Sequence, residues 1–305
     1  MPEVRVPASL DAIPSRGVPP VSVVVRARDE ARALGRTLDA LGGQDVPSEV
    51  IVVDSGSRDH TVEIAAQRGA GVLHSEAAPF SFGAALNQGA AAARAPVVVA
   101  LSAHAVAPDR GWLGRVLATM ADPAVACCCG ERRGPDGRLL AGALRQDAAL
   151  LAARPYWGYS NGAGAFRAEL WRRRGFREDL PGSEDREWSR WALAGGMLCV
   201  VDPALVVDHD HSRDPLPACF RRYAREHRGF AMYLPGLEPY PAPAALAEWW
   251  HDQGHHRTRA RARLDPRRVA RLTGKWWGRR TVPASRATTP DPPPPSRPSP
   301  PAPGA

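Results

Sequence analysis

The stretch EVIVVDSGSRDHTVEIAAQRGAGVLHS, residues 49–75, predicts one strand–helix–strand unit. Residues 49–55 and 71–75 are short and rich in β-branched side chains, which is typical of strands that are covered on both faces. Ser57 can cap the helix between them, and we expect that helix to end at Gly69. Two parallel strands joined in this way form a right-handed crossover. The stretch therefore predicts an α/β fold built on a parallel sheet.

The same alternation extends over most of the first 130 residues. Further strands are predicted at residues 21–27, 96–101 and 124–130, and helices at 29–41, 81–94 and 110–120. Ligands of such sheets bind beyond the carboxyl ends of the parallel strands. The candidate site residues are therefore the polar ones at those ends: Arg28, Asp29, Glu30, Asp54, Ser102 and His104. No glycine-rich dinucleotide motif or P-loop accompanies them, which argues against those two nucleotide-binding classes.

Length and composition indicate a globular protein. A chain of 305 residues with 44% apolar residues can bury a full core. It contains no apolar run of about 18 residues, and residues 1–20 lack the layout of a signal peptide. Three of the five cysteines are consecutive, at residues 127–129, a spacing that favours buried thiols over disulfides or a metal site. We therefore expect a cytoplasmic protein.

The net charge of +8 is concentrated near the C-terminus. Residues 251–280 contain ten Lys or Arg against two Asp. This segment is interpreted as a solvated helical face, as a contact with an anionic membrane surface, or as a nucleic-acid contact. Nucleic acid is disfavoured because no recognition motif accompanies the charge. The proline-rich residues 281–305 predict a disordered tail.

Two further clusters of polar residues follow the predicted sheet. In LPGSEDREWSRW, Glu184 and Asp185 open a helix that Ser183 can cap, and the helix dipole alone would favour acids there. In VVDPALVVDHDHSRD, residues 200–214, alternate side chains share a face, so that His209 and His211 can point together. The second cluster fits a metal or phosphate site as well as a purely structural role.

The order and spacing of three motifs resemble the family 2 glycosyltransferases, and particularly their rhamnosyltransferase-like members. The motifs are VSVVVRARDEARALGRTLDAL, EVIVVDSGSRDHTVEIA and SEDREW. The resemblance covers residues 20–215 and implies the inverting mechanism and the GT-A fold, a mostly parallel sheet flanked by helices. It implies a nucleotide-binding half at 20–110 and an acceptor and catalytic half at 111–215. An irregular lead (1–19), a basic helical extension (216–280) and the disordered tail (281–305) complete the expected organisation.

The resemblance also implies roles for individual residues. Asp185 would be the catalytic base, with Glu184 as its orienter or substitute. The nucleotide would contact Arg28, Glu30, Asp54 and Asn87. The acceptor would contact Trp157, Tyr159, Asn161 and Trp188.

One motif departs from the family pattern. The fourth strand of the family ends in an Asp-x-Asp motif that holds a divalent metal on the donor diphosphate, whereas this chain has Ser102 and His104 there. By resemblance, His209 or His211 would complete the metal site. An imidazole ligand favours Mn²⁺ or a softer ion over Mg²⁺, although both Mn²⁺ and Mg²⁺ are expected candidates. Without a metal, His104 and neighbouring cations would have to steady the diphosphate themselves.

We therefore expect a hexosyltransferase that moves a sugar from a nucleotide-sugar donor to a hydroxyl of a glycan or lipid-linked glycan. Such a role in the synthesis of cell-envelope polysaccharide would place the protein in the cytoplasm or at the inner face of the plasma membrane. One alternative is a metal-dependent hydrolase or nucleotidyltransferase that uses residues 208–211 as its metal centre. Another is a catalytically silent protein that binds sugar nucleotides. The sequence does not specify the donor sugar, the acceptor or the oligomeric state.

Overall fold

An eight-stranded mixed sheet forms the centre of the protein. The computed structural model describes residues 17–75, 80–209, 211, 214–234 and 265–281. Its strands are β1 (Val21–Ala27), β2 (Ser48–Asp54), β3 (Gly71–His74), β4 (Val97–Ser102), β5 (Val125–Cys129), β6 (Leu144–Gln146), β7 (Ala163–Arg167) and β8 (Leu198–Val201). They lie in the order β3-β2-β1-β4-β7-β5-β8-β6. The predictions for residues 1–16, 235–264 and 282–305 lie outside the described residues.

Helices cover both faces of the sheet, and two more helices follow them in the chain. They are α1 (Leu34–Gly42), α2 (Thr61–Gln67), α3 (Phe82–Ala92), α4 (Trp112–Met120), α5 (Ala148–Ala153), α6 (Ala168–Arg173), α7 (Glu184–Ala194), α8 (Leu216–Tyr233) and α9 (Pro266–Arg280). A 3-10 turn spans Pro203–Leu205. None of the helices in the described ranges combines the length and the apolar character that crossing a bilayer requires.

The alternation of side chains along each strand divides the core into two layers. In β1, Val23 and Val25 face the layer formed with α1, α2 and α4, whereas Val24 faces the layer formed with α3 and α7. Because both faces are covered, the strands are apolar at nearly every position, as predicted. The five cysteines, all within the described residues, are buried free thiols, as the sequence indicated.

The sheet is mostly parallel, and two strands run against it. The β1–β2, β1–β4, β2–β3 and β5–β8 pairs are parallel. The antiparallel strands are β6 and β7, and β7 lies between β4 and β5. The sequence did not predict β7, because its small residues carry little strand propensity. Gly164 is required there, since a Cβ would lie 2.3 Å from the Ser160 carbonyl oxygen.

Two predicted helix caps are wrong. The N-cap position of α2 is His60, and the Ser57 hydroxyl instead accepts from the Asp29 backbone N–H at 2.8 Å. Ser183 does precede α7, but its hydroxyl donates to the Glu226 carbonyl oxygen at 2.7 Å rather than capping the helix. In both places the serine ties two separate segments together, which local sequence could not reveal.

Helix α8 packs closely on the loop that precedes α7. A Cβ at Gly229 would lie 1.9 Å from the Gly182 carbonyl oxygen, so only glycine permits this approach. Helix α9 in turn packs along α8, which is the most extensive helix–helix contact in the described ranges. The C-terminal helices are thereby fixed beside the predicted acidic motif.

Gly89 provides a test of how tightly α3 packs on the sheet. In Gly89→Ala the added Cβ would lie 2.3 Å from Val24 Cγ1 and 3.0 Å from Val53 Cγ2. We expect this overpacking to lower the free energy of unfolding by about 1–3 kcal/mol. The matched control is Gly114→Ala in α4, whose Cβ would meet only Val46 Cγ2 at 3.8 Å. That variant should instead gain about 0.5–1 kcal/mol, and equal stability of the two variants in urea denaturation would contradict the packing.

Candidate active site

A cavity of about 380 Å³ lies beyond the carboxyl ends of β1 and β4. The start of α7 and one face of α8 form its other walls. Its lining includes the predicted residues Ser102, His104, Glu184, Asp185, His209 and His211, together with Arg26, Phe82, Ser160, Gly162, Gly182, Ser183, Arg186, Arg222, Arg225, Glu226 and Phe230. Both clusters that the sequence singled out therefore meet at one place.

The histidines are brought together by one short stretch of backbone pairing. A tight turn follows β4 and carries His104, and Val106 then pairs antiparallel with Asp208. The two residues exchange both backbone hydrogen bonds, each at 2.9 Å. His209 and His211 follow directly, and their alternation places both rings against His104.

The three rings form a compact group. The distances between ring centroids are 4.8 Å for His104–His209, 5.2 Å for His104–His211 and 4.5 Å for His209–His211. One ring nitrogen of each histidine lies within 4.8 Å of the other two. The Nε2 atoms of His104 and His209 are buried and find no hydrogen-bond partner among the described residues. Unpartnered, converging imidazole nitrogens fit a transition-metal ion.

Carboxylates contact the Nδ1 atoms of two of these rings. Glu30 Oε1 lies 3.0 Å from His104 Nδ1, and Asp214 Oδ2 lies 2.9 Å from His211 Nδ1. Asp214 also accepts from Arg222 Nη1 at 3.2 Å. A carboxylate that accepts from the Nδ1–H group fixes the ring orientation and leaves the lone pair of Nε2 available to bind a metal. Metal-binding histidines are usually supported in this way.

Burial keeps most of the group uncharged. It lowers the pKa of His209 to about 4, with a further contribution from His211 and His104. The pKa of His211 is also lowered, first by burial and then by the charge of Arg222. The pKa of His104 is raised, chiefly because its ring hydrogen-bonds Glu30. Neutral imidazole is the form that binds metal.

The loop after β2 holds the loop after β1 in place. Besides the bond from Asp29 N–H to Ser57, the Glu30 N–H donates to Thr61 Oγ1 at 2.8 Å. Asp29 adopts a left-handed conformation, with φ of 53°. These contacts explain why α1 starts at residue 34 rather than 29, and they direct Glu30 toward His104. Glu30 was expected to contact the nucleotide, and in the structure its carboxylate contacts His104.

The acidic pair of α7 is bound to β1 by a partly buried arginine. Arg26 Nη1 lies 3.4 Å from Glu184 Oε1, and Arg26 Nη2 donates to the Asn161 carbonyl oxygen at 2.9 Å. The Asn161 N–H donates to Asp185 Oδ2 at 3.0 Å, and the Arg186 N–H donates to Asp185 Oδ1 at 2.8 Å. Glu184 is buried, whereas Asp185 is half-buried and faces the cavity.

The buried carboxyl of Glu184 is harder to ionise than that of an ordinary glutamate. Burial, and next the adjacent charge of Asp185, raise the pKa of Glu184 to about 7, although Arg26 opposes the shift. A carboxylate that is reachable from the cavity and held by two N–H donors suits a general base. A buried carboxyl that is paired with arginine suits a positioning role.

The structure does not bring Arg28, Asp54 or Asn87 to the lining of this cavity. Arg28 is exposed. The Asp54 carboxylate, which is 2% exposed, accepts from the Gly56 and Ser57 N–H groups at 3.1 Å and from the Ser57 hydroxyl. Asp54 therefore shapes the loop that follows β2, and its contact with a nucleotide stays a prediction.

Asn87 joins α3 to the segment that precedes α7. Its amide donates to the Phe176 carbonyl oxygen at 2.8 Å and to Glu178 at 2.9 Å. Its side-chain oxygen accepts from Trp171 Nε1 and from the Phe176 N–H, both at 2.9 Å. Every polar atom of the amide is thus satisfied internally, which supports a structural role over a donor contact.

The prediction that aromatic residues contact the acceptor is wrong for Tyr159 and Trp188. Tyr159 and Trp188 are each 0% exposed and belong to the core beneath α7, so neither ring can stack on a sugar. Trp157 is half-buried, but it packs on the same core and donates to the Arg133 carbonyl oxygen at 2.9 Å. Asn161 acts at the site through its backbone. The three aromatic residues pack in the core layer on which the helix of the acidic motif lies.

Several residues of the cavity could not be read from the sequence as site residues. The sequence gave one indication for Arg26, because a charged residue near the end of an apolar strand needs a partner for its charge. Arg222 and Arg225 lie on α8, which resembled an ordinary basic helix. Arg225 stacks on Phe82, with its guanidinium carbon 4.5 Å from the ring centroid, and Arg26 lies 5.4 Å from the same ring.

Comparisons with known sequences agree with the motifs. The sequence model of Glycosyl transferase family 2 matches residues 22–186. Among curated proteins, the uncharacterized protein y4gI of Sinorhizobium fredii is 32% identical over 145 residues, which are 44% of this chain and 16% of that protein. A TPR repeat-containing protein of Synechococcus elongatus is 43% identical over 83 residues, 27% of this chain and 20% of that protein. The matches thus span about a fifth or less of the length of these relatives.

Comparisons with solved structures concern the fold. The mannosyltransferase PcManGT of Pyrobaculum calidifontis, in complex with GDP-Man and Mn²⁺, has a TM-score of 0.60 at 22% identity, over 85% of both chains. Residues 1–349 of TarS from S. aureus have a TM-score of 0.51 at 14% identity, over 86% of this chain and 90% of that one. The expected GT-A architecture is confirmed.

The raised pKa of Glu184 predicts a dependence of stability on pH. The unfolded carboxyl ionises near its ordinary value of 4.5, whereas the folded one ionises near 7. The folded state therefore retains a proton that the unfolded chain has lost, and this group lowers stability as pH rises from about 4.5 to about 7. Glu184→Gln removes the dependence, so its unfolding temperature should rise relative to that of the wild type between pH 5 and pH 8.

The control for this measurement is Glu169→Gln, whose side chain is 73% exposed on α6. Its unfolding temperature should keep a constant offset from that of the wild type over the same range. A constant offset for Glu184→Gln as well would show that Glu184 is ionised normally in the folded protein.

Proposed function

The chain belongs to glycosyl transferase family 2, and we propose that it transfers a hexose from a nucleotide-sugar donor to a hydroxyl acceptor with inversion at the anomeric carbon. The observation that carries the proposal is the cavity in which Asp185 and the three-histidine group lie together. The acceptor class that we propose is a glycan or lipid-linked glycan, as in cell-envelope polysaccharide synthesis.

Asp185 is the proposed catalytic base. An inverting transfer needs one carboxylate to take the proton of the acceptor hydroxyl as that oxygen attacks opposite the leaving group. Asp185 has access to the cavity, and its two backbone hydrogen bonds hold it in a single orientation. Glu184, paired with Arg26, positions the start of α7.

The leaving nucleoside diphosphate requires positive charge nearby. His104, His209 and His211 are the proposed ligands of a divalent metal, Mn²⁺ or Mg²⁺, and Ser102 lies beside them on the cavity wall. A bound ion would neutralise the charge that develops on the diphosphate. Arg222 lies close enough to the three histidines to affect their pKa values and adds a fixed cation at the same place. The similar mannosyltransferase, which holds GDP-Man and Mn²⁺, supports both parts of this assignment.

The nucleotide is proposed to lie against the loops after β1 and β2, which carry Arg28, Glu30 and Asp54. Their cross-linking makes them a rigid platform at the carboxyl edge of the sheet. The nucleotide itself and the donor sugar are left open, so the test below includes UDP-, GDP- and dTDP-sugars.

Contact with an anionic membrane surface is proposed for the exposed part of α9. Trp277 is 53% exposed and Arg280 is also exposed. By contrast, Arg268 and Arg279 are buried, and Arg279 donates to Tyr156 Oη at 2.9 Å. Part of the basic charge therefore stabilises the packing of α9 instead of facing a partner.

The direct test is a panel of sugar nucleotides with and without Mn²⁺. One of them should raise the unfolding temperature, since a ligand at a hundred times its Kd stabilises by about 2.7 kcal/mol. The same compound should lose its sugar to an added hydroxyl acceptor. Asp185→Asn should lower kcat by about a hundredfold or more and leave donor binding unchanged, because asparagine has the shape of aspartate and keeps one of its two backbone hydrogen bonds but cannot take a proton.

The matched control is Asp45→Asn, an exposed aspartate that is paired with Arg110 away from the cavity. It should have wild-type turnover. Wild-type turnover in Asp185→Asn would remove Asp185 from the role of base. A chain that neither binds nor consumes any sugar nucleotide would overturn the proposed function.

A further inference from the structure

We infer that the three-histidine group selects a transition-metal ion that prefers nitrogen ligands, such as Zn²⁺, Co²⁺ or Ni²⁺, over Mg²⁺, and binds it before any donor is present. The inference deepens the proposed metal-dependent transfer and rests on it. It concerns the ligand set of His104, His209 and His211, which contains no carboxylate oxygen.

The type of ligand atom determines which ion the group prefers. Three imidazole nitrogens suit Zn²⁺, Ni²⁺ and similar ions, whereas Mg²⁺ prefers an octahedral shell of oxygens. Two carboxylates that contact the group, those of Glu30 and Asp214, are bonded to Nδ1 atoms of the histidines. Asp214 is further engaged by Arg222. The described structure thus directs nitrogens, and not these oxygens, toward the centre of the group.

The group is also organised without a nucleotide. A site with a single protein ligand needs the phosphate oxygens of its donor to hold an ion. Here two segments of the chain supply the three nitrogens, one from His104 and two from His209 and His211. The Val106–Asp208 pairing holds these two segments side by side. The buried Nε2 atoms of His104 and His209 have no partner among the described residues, which an ion would provide.

Calorimetric titration of the tag-free, metal-stripped full chain tests the inference without any sugar nucleotide. Zn²⁺ and Co²⁺ should bind with one ion per chain and at least a hundredfold more tightly than Mg²⁺. The Co²⁺ complex should also show the visible absorption of nitrogen-bound cobalt. Mg²⁺ binding as tight as that of Zn²⁺, or Zn²⁺ binding only after a nucleoside diphosphate is added, would overturn the inference.

Variants locate the ion. His104→Ala and His209→Ala should each weaken Zn²⁺ binding by a hundredfold or more, whereas His60→Ala, an exposed histidine at the start of α2, should leave it unchanged. Zn²⁺ binding that survives both cavity variants would place the ion elsewhere and overturn the inference. His104→Asp restores one oxygen ligand, so it should stay folded and lower the ratio of Zn²⁺ to Mg²⁺ affinity.

The outcomes separate this inference from the proposed function. Acceptor-dependent transfer by a chain that shows no preference for Zn²⁺ over Mg²⁺ would overturn the inference and leave the function standing. Selective Zn²⁺ binding by a chain that binds no sugar nucleotide would support the ligand assignment and overturn the function.

Discussion

Two backbone hydrogen bonds between Val106 and Asp208 determine where the site forms. They hold the segment after β8 along the turn after β4, although the two are distant in sequence. His209 and His211 can meet His104 only because of this pairing. The constraint is a property of the main chain, so it does not depend on which side chains stand at residues 106 and 208.

Arg26 connects the two halves of the site in a similar way. It leaves β1 and reaches both Glu184 and the carbonyl oxygen of Asn161. Because the Asn161 N–H holds Asp185, the position of the proposed base depends on an arginine from a distant strand. Burial of this network explains why Glu184 holds its proton more tightly than an ordinary glutamate, whereas Asp185 keeps its access to the cavity.

The sequence predicted the parallel part of the fold well, because apolar strands and amphipathic helices are local patterns. It missed β7, whose small residues form a strand only by pairing between β4 and β5. It found the acidic pair and the histidines, since both are unusual groups at the ends of predicted elements. It could not find Arg222 and Arg225, because a basic helix gives no sign of the surface it faces. Tyr159 and Trp188 were wrongly assigned to the acceptor for a related reason. The sequence does not show whether an aromatic residue near a catalytic motif faces the site or the core, and both of these are buried in the core.

The central claim is that the carboxyl edge of the sheet is one reaction centre, with the histidine group at the diphosphate and Asp185 at the acceptor. A crystal structure of the full chain with Co²⁺ and a nucleoside diphosphate tests it most directly, with anomalous diffraction to locate the ion. The account predicts one anomalous peak at about 2.0–2.2 Å from ring nitrogens of His104, His209 and His211, with the diphosphate in the same cavity as Asp185. A peak away from these histidines, or a diphosphate bound outside this cavity, would contradict it.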